Sequence, residues 1–150
     1  MRALVQRVSQ ATVTVRSDQG VPEEVGRIGR GLCAFVGVTQ SDDLAGAQRL
    51  AAKLWNLRIF PDDAGAMNRS VADSGGAVLV VSQFTLYGST DRGRRPSYVA
   101  AAGPEQAEPL VAAVVAALEQ LGAAVATGRF RTHMEVSLRN DGPITLMIET

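Results

Sequence analysis

Met134-Glu135-Val136-Ser137-Leu138-Arg139-Asn140-Asp141-Gly142-Pro143-Ile144-Thr145-Leu146-Met147-Ile148-Glu149 is the stretch on which the reading of the fold turns. Met134, Val136 and Leu138 alternate with Glu135, Ser137 and Arg139, and Ile144, Leu146 and Ile148 alternate with Thr145, Met147 and Glu149. A period of two marks half-buried strands. Between the runs, Gly142 permits unusual backbone angles, while Pro143 fixes φ and removes a donor. Taken locally, Asn140 to Pro143 reads as a hairpin turn joining two strands.

Working outward, residues 2–9 and 11–16 read as two further strands, Ser17-Asp18-Gln19-Gly20 as a turn, and Val25–Ile28 as a short strand. Leu32 to Val38 is almost continuously apolar, the pattern of a strand covered on both faces. Ser41-Asp42-Asp43 offers a helix cap and first-turn acids, after which Leu44, Ala47, Leu50, Ala51, Leu54 and Leu57 recur at helical spacing. Arg58-Ile59-Phe60 reads as a short strand stopped by Pro61, and residues 62–76 as loop. Ala77 to Val81 is another apolar strand, running straight into Ser82-Gln83-Phe84-Thr85. A second helix is expected over 104–121, with Leu110, Val114, Leu118 and Leu121 as its stripe and Gly122 as its stop. Pro109 is expected to kink its first turn or delay its start. Strands near 124–129, 133–139 and 143–149 complete the series. This order predicts one α/β domain over residues 1–150, a mixed β-sheet or open barrel with two packed helices.

A chain of 150 residues, 46% hydrophobic, is long enough to bury a core without staples. Its formal net charge is zero, so no global field points to nucleic acid. Lys53 is the one lysine among fifteen basic residues, which leaves an arginine-based local patch open. Cys33, the one cysteine, sits in an apolar run and reads as a buried small hydrophobe, with no intramolecular disulfide available. Neither a signal-peptide core nor an apolar run of membrane length is present, so a soluble, cytoplasmic protein with no membrane partner is expected.

Chemistry narrows by elimination. His133 is the one histidine, and no nucleophile elbow accompanies it. One His and one Cys do not supply the usual zinc ligands, and no glycine-rich phosphate loop is present. No metal and no cofactor are expected. What remains is Ser82-Gln83-Phe84-Thr85, polar residues where a buried strand surfaces. Locally they read either as a site or as groups satisfying nearby backbone. The Asp91-Arg92-Gly93-Arg94-Arg95-Pro96 loop reads either as a phosphate contact or as a solvated surface.

Several of these segments together carry a resemblance. Ala3-Leu4-Val5-Gln6-Arg7-Val8, Arg58-Ile59-Phe60 with Met67-Asn68, and Val80 to Leu86 lead the series. Arg92 to Ser97, Thr127-Gly128-Arg129-Phe130, and Met134 to Ser137 running into Asn140-Asp141-Gly142-Pro143-Ile144-Thr145 complete it. In this order and separation the chain resembles the D-aminoacyl-tRNA deacylase family over nearly its whole length, and the Ser-Gln-Phe-Thr and Asn-x-Gly-Pro-x-Thr motifs carry most of the signal.

The resemblance implies the family's fold, no cofactor, tRNA as substrate, and a homodimer in which the Gly-Pro motif of one subunit enters the active site of the other. It implies a cis bond between Gly142 and Pro143, with backbone carbonyls that collide with an L side chain and spare a D side chain or glycine. The implied reaction is hydrolysis of the aminoacyl ester, including glycine mischarged on alanine tRNA, assisted by the terminal 2′-hydroxyl. Ser82, Gln83, Phe84 and Thr85 take the catalytic position; Gly142, Pro143, Arg7, Asn140, Thr145 and Met134 take the substrate-binding one; Arg92, Arg94 and Arg95 are tRNA-contact candidates. Arg7 is implied to hold the Gly-Pro loop. Animal relatives of relaxed chiral selectivity carry Ala in the Ser-Gln-Phe-Thr motif and a different loop, so the resemblance implies, on Arg7 and Phe84 together, that the chain stands with the strict D-selective group. Pro109 departs from the Ala expected there. Two other readings stay open: an esterase with Thr85 as nucleophile on small acyl esters, and a non-catalytic nucleic-acid-binding module.

Overall fold

The computed structural model describes residues 1–16, 20–91 and 93–150. Ser17 to Gln19, where most of the expected first turn falls, and Arg92 lie outside the described residues. The strands are β1 (Arg2–Val15), β2 (Glu23–Ile28), β3 (Gly31–Gly37), β4 (Phe60–Pro61), β5 (Met67–Arg69), β6 (Ala77–Ser82), β7 (Ala124–Thr127) and β8 (Met134–Glu149). Helix α1 (Leu44–Asn56) follows β3, and α2 (Pro104–Gln120) precedes β7.

The hairpin expected at Asn140 to Pro143 is not there. β8 is one strand, and both its halves pair antiparallel with β1, Met134 to Asn140 against Val15 to Val8 and Thr145 to Glu149 against Gln6 to Arg2. Between them Arg7 alone faces Asp141, Gly142, Pro143 and Ile144, so the segment is a wide bulge and the chain does not reverse. Alternation shows which side chains point inward; it does not say which strand completes the ladder. β1 is likewise one strand of 14 residues where two were expected. A register slip leaves Ser9 unopposed, between the Val8–Asn140 and Gln10–Arg139 pairs, without breaking the strand.

β1 is therefore the spine, bonded to β2, β3 and β8. The main sheet runs β2-β1-β3-β6-β7, with β3, β6 and β7 parallel. It curls until β7 meets β2: a Cβ on Gly26 would lie 2.5 Å from the Thr127 carbonyl oxygen, and Arg129 pairs with Glu23 at 2.9 Å. The result is the expected mixed, nearly closed barrel with two helices. Val8, Ala11, Val13, Cys33, Leu79 and Val81 pack together in one cluster. Leu32, Val36, Val78 and Val80 face the other way, onto Leu50, Leu54, Val114 and Leu118 of the helices. Double coverage explains why β3 and β6 read as unbroken apolar runs.

Asp43 caps α1, its Oδ1 accepting from the Gly46 amide at 2.7 Å. Asp42 stands before the helix and not in its first turn, where it accepts from the Met1 ammonium at 2.6 Å. Leu44 is exposed, so the buried stripe starts at Gly46 and Ala47. α2 starts at Pro104 and continues through Pro109, so its start is not delayed. Its buried face is Ala107, Val114, Ala117 and Leu118, with Leu121 left exposed. Gly122, at φ +95°, ends it in the conformation only glycine adopts readily. Pro61 lies within β4, which pairs with β5 inside the expected loop. Among the described residues, no helix is long and apolar enough to cross a membrane.

Candidate active site

β6 ends at Ser82, and the Gln83 amide donates to the Val36 carbonyl at 2.7 Å, tying the strand end to β3. The chain then winds into a single 3₁₀ turn, Phe84–Tyr87, closed by Gly88 N–H donating to the Thr85 carbonyl at 2.9 Å. The turn throws Phe84 outward, 56% exposed, and leaves Thr85 exposed beside it. The Gln83 side-chain amide donates to Thr85 Oγ1. Phe84 meets Tyr98 edge to face at 5.1 Å. Gly88 makes room for this pair, since a Cβ there would lie 2.8 Å from the Tyr98 ring.

Beside this turn is a cavity of about 360 Å³, walled by Val36, Val38, Ala102, Val111 and Phe130 and rimmed by Ser82, Gln83, Phe84, Tyr98 and Arg131. An adjoining cavity of about 290 Å³ on the other side of Phe84 takes in Arg131, His133 and Met134. An apolar floor with a few polar rim groups suits a small ligand anchored by a planar or apolar part. Thr85 Oγ1 receives a hydrogen bond from an amide, which cannot act as a base, so nothing here activates it as a nucleophile.

A second constellation forms around the β8 bulge. Arg7 is buried; its Nε contacts Asp141 Oδ2 at 2.9 Å and the Asp141 carbonyl at 3.2 Å, and Nη1 donates to the Ile59 carbonyl. Asn140 Nδ2 donates to the carbonyls of Arg7 and Ile144, both at 3.0 Å. Gln6 donates to Thr145 Oγ1 at 3.0 Å. Within this frame Gly142 and Pro143 are exposed, and the bond between them is cis.

The structure thus brings Ser82, Gln83, Phe84, Thr85 and Met134 together, and separately Arg7, Asn140, Gly142, Pro143 and Thr145. It does not join the two groups within one chain. None of residues 140–145 lines either cavity. Arg7 pairs with Leu32 and Ser82 with Val36, four residues farther along β3, which is roughly 13 Å of strand. Arg94 and Arg95 are exposed in the loop pinched by the Ser89–Ser97 bridge, away from both groups' side-chain contacts. Sequence reading missed Tyr98 and Arg131 and left Phe130 without a role. Phe130 stood in a quoted motif, whereas the left-handed backbone of Arg131 (φ 56°) has no signal in an arginine.

Comparison with known proteins gives the family of the chain. The family model described as D-Tyr-tRNA(Tyr) deacylase matches residues 4–149. A D-aminoacyl-tRNA deacylase of Symbiobacterium thermophilum is 55% identical over 150 residues, covering 100% of this chain and 96% of the relative. A solved structure titled "c-Myc DNA Unwinding Element Binding Protein" superposes with a TM-score of 0.90 at 35% identity, covering 100% of this chain and 99% of that one. A probable eukaryotic D-amino acid tRNA deacylase shares the fold, with a TM-score of 0.84 at 16% identity over 99% and 98% of the two chains. On the full-length match of the family model and the full-length relatives, the chain belongs to the D-Tyr-tRNA(Tyr) deacylase family.

Proposed function

We propose that this chain hydrolyses the ester between a D-amino acid and the terminal adenosine of tRNA, releasing both, and that residues 1–150 act as one catalytic unit. The observation that carries the proposal is the Ser82-Gln83-Phe84 rim of an apolar cavity, with Phe84 exposed at its mouth, in a chain 55% identical over its full length to a D-aminoacyl-tRNA deacylase. The cavity takes the terminal nucleoside and the acyl group. Main-chain N–H groups of the turn face the ester carbonyl, and the free 2′-hydroxyl of the terminal ribose assists the attack of water. Among the described residues the Thr85 hydroxyl has only an amide for a partner, which favours this route over a threonine nucleophile.

Stereochemistry is assigned to Gly142 and Pro143. The Arg7 and Asn140 contacts hold the bulge rigidly, so exposed main-chain carbonyls present a fixed wall. An L side chain strikes that wall; a D side chain points away, and glycine has nothing to reject. Glycine mischarged on alanine tRNA is therefore also a substrate. Because the bulge lies far from Phe84 in its own chain, the wall is supplied by the second subunit of a homodimer. Among the described residues β8 pairs with β1 alone, and its other edge, with Leu146 and Met147 exposed, supports such an association. Arg92, Arg94 and Arg95 are assigned to acceptor-stem phosphates. The resulting place of work is the cytoplasm, where tRNA is charged.

Incubation with D-tyrosyl-tRNA, L-tyrosyl-tRNA and a small D-amino-acid ester tests the reading. Rapid release from the first alone is expected. Comparable release from L-tyrosyl-tRNA removes the chiral wall, preference for the small ester points to the Thr85 esterase, and tRNA binding without hydrolysis points to a binding module.

A further inference from the structure

We propose that Arg131 grips the RNA backbone, so that the phosphodiester chain leaves the active site across the Arg131–His133 side of Phe84 and not across helix α2. The proposal rests on the deacylase reading, from which it takes only that the substrate is an ester at the 3′ end of an RNA.

Four observations converge on Arg131. It lines both the main cavity and its neighbour, so it stands on the ridge between them. Its backbone lies at φ 56°, and among the described residues no other non-glycine residue has positive φ. An L side chain there strains the backbone, and such outliers cluster at binding sites. The turn is anchored independently of the guanidinium, by Thr132 Oγ1 donating to the Arg129 carbonyl at 2.8 Å and by Arg16 N–H donating to the His133 carbonyl at 3.0 Å. Among the described residues, the ion pairs of this neighbourhood engage Arg129 with Glu23 and Arg16 with Glu135, and leave Arg131 out.

Charge around the site is one-sided. The two cavities touching Phe84 carry Arg131 and His133 and, among the described residues, no carboxylate. Past Phe130 lies a third hollow, of about 280 Å³, against α2; it carries Glu108 and Glu119 and, among the described residues, no cation. A nucleic-acid strand brings one negative charge per nucleotide. It is drawn to the first side, where the Arg131 fork fits a phosphate and His133 offers a donor in either tautomer, and it is repelled from the second.

Arg131→Gly is the clean probe, because glycine suits the left-handed backbone and the turn keeps its anchors. Wild type and variant are compared on D-tyrosyl-tRNA and on D-tyrosyl-adenosine, which has the ester and the nucleoside but no phosphodiester. On tRNA the variant's KM should rise about tenfold, and the slope of log KM against log salt should fall by about 0.7. Its kcat, and both constants on D-tyrosyl-adenosine, should stay level; Arg131→Lys should recover the salt slope, and Glu119→Gln should leave KM level or lower it. An unchanged KM and salt slope, or equal losses on the two substrates, would overturn the proposal. A wild-type protein inactive on both substrates would defeat the deacylase reading instead, and filter binding of a CCA-ended RNA to wild type and Arg131→Gly would still decide the grip.

Discussion

At the scale of single residues, Thr85 and Cys33 show how environment decides chemistry. Thr85 is exposed beside Phe84, lines neither cavity, and is held by the Gln83 amide and not by a base. Thr85→Ala should therefore lose less than the roughly 10²-fold that a positioned acid–base group contributes, whereas a 2′-deoxy terminal adenosine should abolish hydrolysis. Single-turnover rates on the two substrates check this, and the reverse pattern would make Thr85 the nucleophile. Cys33 lies in the packed interior of β3, and burial pushes its thiol from an ordinary 9.0 up to about 12. A raised folded-state value means the folded protein holds the proton more tightly than the unfolded one. The resulting stability is complete below pH 9.0 and is lost as pH climbs toward 12. Melting temperature should fall in that window, less steeply in Cys33→Ala than in wild type; equal alkaline limbs would contradict it. Burial of Cys33 was legible from its apolar neighbours. The position of Arg131 was not, because nothing in an arginine's flanking residues announces a left-handed backbone.

The β8 bulge is the element on which selectivity is proposed to depend. Four residues of β8 stand against Arg7, and the Asn140 side chain spans them with two bonds of 3.0 Å. Asn140→Ala should cost about 1–2 kcal/mol through the unpaired Arg7 carbonyl and should also lower the ratio of D- to L-tyrosyl-tRNA hydrolysis. Thermal melts and paired rate measurements separate the two effects; a lower melting temperature with an unchanged ratio would leave the bulge a structural feature only. Strand character on both sides of Asn140 was legible from the alternation. The bulge was not, because Asn-Asp-Gly-Pro suits a reversal as well as a bulge, and the deciding partner lies more than a hundred residues earlier in β1. The two helices were placed to within about a residue or two, as their caps and stops are local; the exposure of Leu44 and Leu121 depends on where each helix leaves the sheet.

For the whole molecule, the central feature is the separation of the bulge from the Ser82–Thr85 turn. If the site is shared between subunits, two different lesions should complement. Pro143→Ala with Gly142→Ala spoils the wall, and Phe84→Glu spoils the cavity mouth. The first protein should hydrolyse both D- and L-tyrosyl-tRNA and the second neither; co-refolded one to one, half of the intact cavities meet an intact wall, so L-tyrosyl-tRNA hydrolysis per Phe84-bearing subunit should fall by about half, recovering selectivity, while D-tyrosyl-tRNA hydrolysis is retained. Sedimentation checks whether a mixed dimer forms, and absence of recovery in a mixed dimer would place the whole site in one chain.

The sequence by itself determined what local chemistry sets: strands by alternation, helices by spacing and caps, a buried thiol, and the two motifs that place the chain in its family. Only the tertiary structure decided which strands share a ladder, that β1 is a single spine, that β2 and β7 nearly close a barrel through Gly26, and which cavity lies beside Phe84. Those features depend on contacts between distant segments, and one periodic pattern is compatible with several pairings until packing and backbone hydrogen bonding select one.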